Sequence, residues 1–97
     1  MYEIGNQIID QKYDKLQVEI VVETNTFDIL SISLEKDAVF PNHSSPTDAQ
    51  LVVLEGAITF HIDGEAYPLK KHQRFSFPKQ IEHWVKANAD SKFLIIR

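Results

Sequence analysis

The feature that most constrains this chain is a run of short segments in which apolar residues alternate with polar ones, each segment closed by a turn signal. Leu16, Val18, Ile20 and Val22 alternate with Gln17, Glu19, Val21 and Glu23, the period of a strand with one buried face. Asn25-Thr26 reads as a turn, after which Leu30, Ile32 and Leu34 alternate with Ser31, Ser33 and Glu35, so the two segments are expected to pair as a hairpin. Ile58, Phe60 and Ile62 alternate with Thr59 and His61 and lead into Asp63-Gly64, a dipeptide suited to a tight hairpin. No window carries a persuasive helical period, although Ile8 and Ile9 can seed a short helical turn. Short alternating strands with frequent turns predict an all-β sandwich or barrel of antiparallel meanders.

The rest of the chain fits that frame. Pro41 to Asp48 is dense in turn formers, and its two prolines cannot donate to a ladder, so the segment is expected to be a loop. Leu51-Val52-Val53-Leu54 is apolar at every position, which predicts a strand covered on both faces. Gly56 permits a bend or bulge after it. Ala66, Tyr67 and Leu69, then Phe75-Ser76-Phe77, His83 to Ala87 and Phe93 to Ile96 give further strands, with a polar turn at Lys70 to Gln73, a break at Pro78 and a loop from Asn88 to Ser91. No linker, repeat or low-complexity tract divides the 97 residues, so we expect one domain over 1–97, with a core barrel over about 16–97 and an N-terminal arm over 1–15.

Composition narrows the function classes. The net charge is −4 and the ten Lys and Arg are scattered apart from Lys70-Lys71, which argues against nucleic acid as a partner. With no cysteine, neither disulfides nor thiolate metal sites are available. The first residues carry neither a basic leader nor an apolar core, and no run is long enough to span a bilayer, so the expectation is a cytoplasmic protein without a membrane partner.

Chemistry is concentrated in four histidines. His43 precedes the most apolar strand, and His83 opens a strand in which Val85 and Ala87 share its face while Trp84 and Lys86 point the other way. In a closed barrel these two can meet and share a cavity. A single such histidine is ordinarily a core residue satisfied by a hydrogen bond. His61 alternates with the apolar residues of its strand and is expected at the surface or an interface, and His72 in a solvated turn. Asp48 suits a cap for loop amides. No nucleophile-elbow, phosphate-loop or zinc-helix motif is present.

Phe40-Pro41-Asn42-His43 through Leu54-Glu55-Gly56 and on to Asp63-Gly64 resembles the first motif of the cupin superfamily, and Phe77-Pro78 through His83-Trp84-Val85 resembles the second. The likeness covers most of the chain from about Leu30 to Ile96 and is nearest to the short single-domain cupins. It implies a double-stranded β-helix, or jelly-roll, barrel, and small stand-alone cupins commonly dimerise. His43 and His83 match the first and second motif histidines, but Ser45 stands where the family has another histidine. The glutamate expected with six residues between it and Gly56 falls on Ala49, and Gln80 replaces a glycine.

The resemblance therefore implies a metal such as zinc, nickel, iron or manganese with only His43 and His83 as matching ligands, and Gln50 as a weak third donor if a bulge swings it inward. Without metal, the pocket formed by His43, Ser45, Gln50 and His83 suits a small polar or anionic molecule. Three readings follow: a non-catalytic or weakly catalytic ligand-binding cupin, a metal-dependent enzyme of oxygenase or isomerase type, and a structural or interaction module. A homodimer burying Leu51 to Leu54 together with Trp84 is also expected.

Overall fold

The computed structural model describes residues 2–97. A four-residue helix α1 (Gln7–Asp10) precedes β1 (Leu16–Glu23) and β2 (Asp28–Leu34). Between the strands, the Thr24 hydroxyl accepts from the amides of Thr26 and Phe27 and donates to the Phe27 carbonyl, so a local side-chain bond closes the hairpin read from Asn25-Thr26. The chain continues through β3 (Val39–His43), β4 (Ala49–Glu55), β5 (Ala57–Ile62), β6 (Glu65–Lys70), β7 (Arg74–Phe77), β8 (His83–Ala87) and β9 (Ser91–Ile96). Asp63 and Gly64 both take positive φ, 53° and 73°, as a two-residue β5–β6 hairpin requires.

The strands form a five-stranded sheet in the order β1-β2-β9-β4-β7 and a four-stranded sheet in the order β3-β8-β5-β6, antiparallel throughout. Consecutive strands β2, β3, β4 and β5 alternate between sheets, and the two sheets close over one core, giving the jelly-roll barrel. Leu30, Ile32, Leu34, Leu51, Val53, Phe77, Phe93 and Ile95 face inward from the larger sheet, and Ile58, Phe60, Ile62, Val85 and Ala87 from the smaller. Each large side chain withdrawn from water contributes about 1.5–3 kcal/mol, the term that offsets chain entropy in a fold without cross-links. Gly56, at φ 79°, turns the chain from one sheet to the other where a Cβ would collide with the Asp90 carbonyl and the Ser91 hydroxyl.

Three expectations are corrected. Pro41 to His43 belong to β3 rather than to a loop, because β3 lies at a sheet edge, where a proline costs no ladder bond. The apolar face of β1 is covered only in part: Leu16 packs against the core, but Val18 and Ile20 sit opposite the core residues Ile32 and Leu30 yet are 51% and 55% exposed. β1 is the outer strand of the wider sheet and overhangs the narrower one, and a bulge between Ile20 and Val22 breaks the alternation. Finally, β4 is fully covered only on the face of Ala49, Leu51 and Val53, while Val52 and Leu54 are half-buried on the outer face.

Residues before β1 cross the outside of the larger sheet along a polar seam. The Gln11 amide donates to the Ser31 carbonyl at 2.8 Å and accepts from the Ser31 hydroxyl at 2.6 Å, and Ser33 donates to the Lys12 carbonyl at 2.7 Å. The buried Lys92 ammonium donates to the carbonyls of Ile8 and Gln11 and lies 5.3 Å from the centre of the Tyr13 ring. Its charge is thus enclosed without a carboxylate but with its donors satisfied. No helix of the described residues is long and apolar enough to cross a membrane.

Candidate functional site

A bulge places the first histidine. In the β3–β8 ladder Phe40 faces Val85 and His43 faces His83, so Pro41 and Asn42 together oppose the single residue Trp84. Residues three apart on a regular strand point to opposite faces, and the extra residue returns both Phe40 and His43 to the core side. His83 needs no such device, since it shares the buried face of β8 with Val85 and Ala87.

Aromatic rings hold the pair. His43 stacks on Phe40 with centroids 4.0 Å apart, and His83, only 2% exposed, lies against Phe60 at 4.9 Å and edge-on to Phe77 at 4.7 Å. Each Nδ1 donates to a carbonyl two residues earlier, His43 to Pro41 at 2.6 Å and His83 to Ile81 at 3.0 Å. A carbonyl only accepts, so both Nδ1 atoms carry protons and both Nε2 atoms are left to face each other, 3.1 Å apart. A hydrogen bond across that gap needs one further proton, which makes one ring an imidazolium and the other its acceptor. Burial lowers the His83 pKa below the ordinary imidazole value; the bond to Ile81 opposes the shift and the neighbouring His43 adds to it.

The pair lines a partly enclosed cavity of about 50 Å³. Its walls are otherwise apolar, from Leu30, Ile32, Phe40, Phe77 and Ile95, with Ser45 and Arg97 as the remaining polar residues. Ser45 is buried, but its hydroxyl is committed to the Thr47 carbonyl at 2.6 Å. Gln50 lies outside the cavity, which corrects the expectation that it joins the pocket. The β4–β7 register runs unbroken from Ala49 to Val52, so no bulge turns Gln50 inward, and its carbonyl oxygen instead accepts from Arg74 at 2.9 Å and Ser76 at 2.7 Å. The inward neighbour is the buried methyl of Ala49.

His61 and Trp84 are cross-strand partners on the outer face of the smaller sheet and stack at 3.6 Å with parallel rings. His72 occupies the Lys70–Gln73 turn, and Asp48 accepts from the Lys79 amide at 3.0 Å. Sequence reasoning missed Phe40, Phe77 and Arg97 as cavity residues. The Phe40–His43 spacing signals a shared face only once the bulge is known.

The match of the Cupin domain family model to residues 30–96 spans both histidines and all strands from β3 onward. The chain belongs to the cupin family. Among solved structures, this cupin is similar to an RmlC-like cupin from Desulfovibrio desulfuricans, with a TM-score of 0.87 and 27% identity over 99% of this chain and 95% of that one. It is also similar to a conserved protein of unknown function from Streptococcus pyogenes, at TM-score 0.78 and 28% identity over 88% and 75% of the two chains. A cupin-2 domain protein from Shewanella frigidimarina shares the fold at TM-score 0.77, with 22% identity over 95% and 89%. No curated protein matches the chain.

The metal that this family implies can be tested against the donors present. Two imidazoles with Nδ1 tied to carbonyls and Nε2 atoms 3.1 Å apart have the orientation of adjacent ligands on one ion. The rest of the set does not fit: Ser45 is engaged elsewhere, Ala49 offers a methyl, and no group of three or more His, Cys, Asp or Glu gathers among the described residues. Two protein donors fall short of the three that catalytic zinc and facial-triad iron sites use.

Proposed function

We propose that this cupin is a non-catalytic binding protein that holds a small polar or anionic molecule in its barrel. The observation that carries the reading is the convergence of the Nε2 atoms of buried His83 and half-buried His43, 3.1 Å apart, on the wall of a mostly apolar cavity. With one added proton the pair carries a positive charge, and a ligand oxygen that displaces the bond between the two Nε2 atoms accepts that proton's hydrogen bond, both interactions being strengthened by the surrounding low dielectric. The cavity carries no carboxylate to act as a base, and its one hydroxyl is held by a backbone carbonyl. At about 50 Å³ it accepts the polar head of a ligand rather than an extended molecule.

The test is a metabolite screen by thermal stabilisation on wild type, His43→Ala and His83→Ala, with metal content of the same samples measured by mass spectrometry after purification without a histidine tag. Stabilisation of the wild type that both variants lose supports the reading. Near-stoichiometric metal that both variants lose overturns it in favour of a metal-dependent enzyme, the alternative that the tautomers and the Nε2 spacing favour. Absence of any stabilising compound, with variants indistinguishable from wild type, points instead to a structural module.

We also propose a homodimer, with its interface moved. β4 and Trp84 lie in different sheets whose outer faces point apart, so one two-fold contact does not cover both. The exposed Val18 and Ile20 of the edge strand β1 are the better candidates, because that edge also presents unpaired backbone groups to a second copy.

A further inference from the structure

We propose that Arg97 is the specificity-determining residue of the barrel cavity and that it selects a carboxylate, specifically that of a short hydroxy or keto acid. The inference deepens the reading of the cavity as a ligand site and rests on it. Arg97 directly follows β9, and its backbone is fixed by two bonds with Asp28: its amide donates to the Asp28 carbonyl at 3.0 Å, and the Asp28 amide donates to the Arg97 carbonyl at 2.7 Å. The side chain is held at one point only, where Nε donates to the Asp28 carboxylate at 3.0 Å. Neither Nη group bonds a protein acceptor among the described residues.

Position gives that free edge its meaning. Arg97 lines the partly enclosed cavity and also an open depression of about 180 Å³ beside it, bounded by Thr24, Thr26, Asp28 and Thr47. It is the one residue shared by the two, so it stands where the depression and the cavity of the histidine pair adjoin. Asp28 lines only the outer depression, so the residues that line the cavity include one arginine and two histidines but no Asp or Glu. A planar guanidinium with both Nη groups unpaired matches a carboxylate in the bidentate manner that an ammonium cannot reproduce. The imidazole pair supplies a second polar contact beyond it, which a hydroxyl or keto oxygen on the same short acid takes. Cavity size excludes a long chain between them.

Isothermal titration calorimetry tests this with L-lactate and pyruvate against lactamide and pyruvamide, the same molecules without the charge. The expected result is that wild type binds an acid at least tenfold more tightly than its amide. Arg97→Gln abolishes that preference, Arg97→Lys keeps part of it, and Asp28→Asn, which removes the competing carboxylate, tightens acid binding several-fold. Equal binding of acid and amide by wild type, or acid binding unchanged in Arg97→Gln, overturns the role of Arg97. If His43→Ala still abolishes binding in that case, the cavity reading stands and only this inference falls. If neither acids nor amides bind wild type, the inference falls as well, and the metabolite screen decides the cavity reading separately. Should Arg97→Gln fail to fold, Arg97→Lys and Asp28→Asn carry the test, because a purely structural pair gives both variants the acid affinity of wild type.

Discussion

Individual residues already make distinct demands. Burial depresses the His83 pKa in the folded protein relative to the unfolded value of about 6.5, so between those two values the unfolded chain binds more protons. The contribution of His83 to stability is complete above about pH 6.5 and is lost as the pH falls toward the folded value. Urea midpoints are expected to drop below that pH, and His83→Gln to remove part of the slope; a midpoint unchanged between about pH 7.5 and 5.5 would contradict the assignment. Gln80 stands where the family motif has glycine and takes φ 63°, a conformation that costs an L-residue about 1–2 kcal/mol. Gln80→Gly is expected to raise the unfolding midpoint, by up to about 1 kcal/mol once the greater freedom of the unfolded glycine is counted. At this scale the meeting of His43 and His83 was legible because each abuts a strongly apolar strand. Gln50 was misjudged because a bulge was invoked on β4, whereas the bulge that shapes the site lies on β3. Arg97 was silent because an arginine after a final strand carries no pattern of its own.

Strands and turns tell a similar story one level up. Strands with one buried face and a local turn, such as the β5–β6 hairpin, were readable because period and turn chemistry agree. β3 was not, since Pro41 and Asn42 erase the alternation and only the edge position of the strand tolerates the proline. The same reasoning isolates Gly56, where positive φ coincides with close approach to the Asp90 carbonyl. Gly56→Ala is expected to destabilise by about 1–2 kcal/mol from conformation alone, with the collision adding to it. Denaturant unfolding measures this directly, and a loss under about 0.5 kcal/mol, the level of an ordinary surface change, would mean the turn relaxes freely.

For the whole molecule, the mismatch of five strands against four leaves an apolar overhang on β1. Nothing in the sequence distinguishes Val18 and Ile20 from Ile32 and Leu30, because the number of strands available to cover a face is a property of the assembled sheets. If two copies bury that overhang, Ile20→Lys is expected to weaken the dimer at least tenfold, about 1.4 kcal/mol, in sedimentation equilibrium. A monomeric wild type at high concentration removes the interface.

The polar seam under the N-terminal arm has its own thermodynamic signature. Detaching that arm breaks hydrogen bonds to Ser31, Ser33 and Lys92 but uncovers little hydrocarbon, since α1 contributes no buried residue. Its release should therefore carry a small heat-capacity change and almost no dependence on urea. In native-state amide exchange, residues Gln7 to Lys12 are expected to open sub-globally at a free energy flat in denaturant while the barrel stays closed, so this protein has two stabilities rather than one.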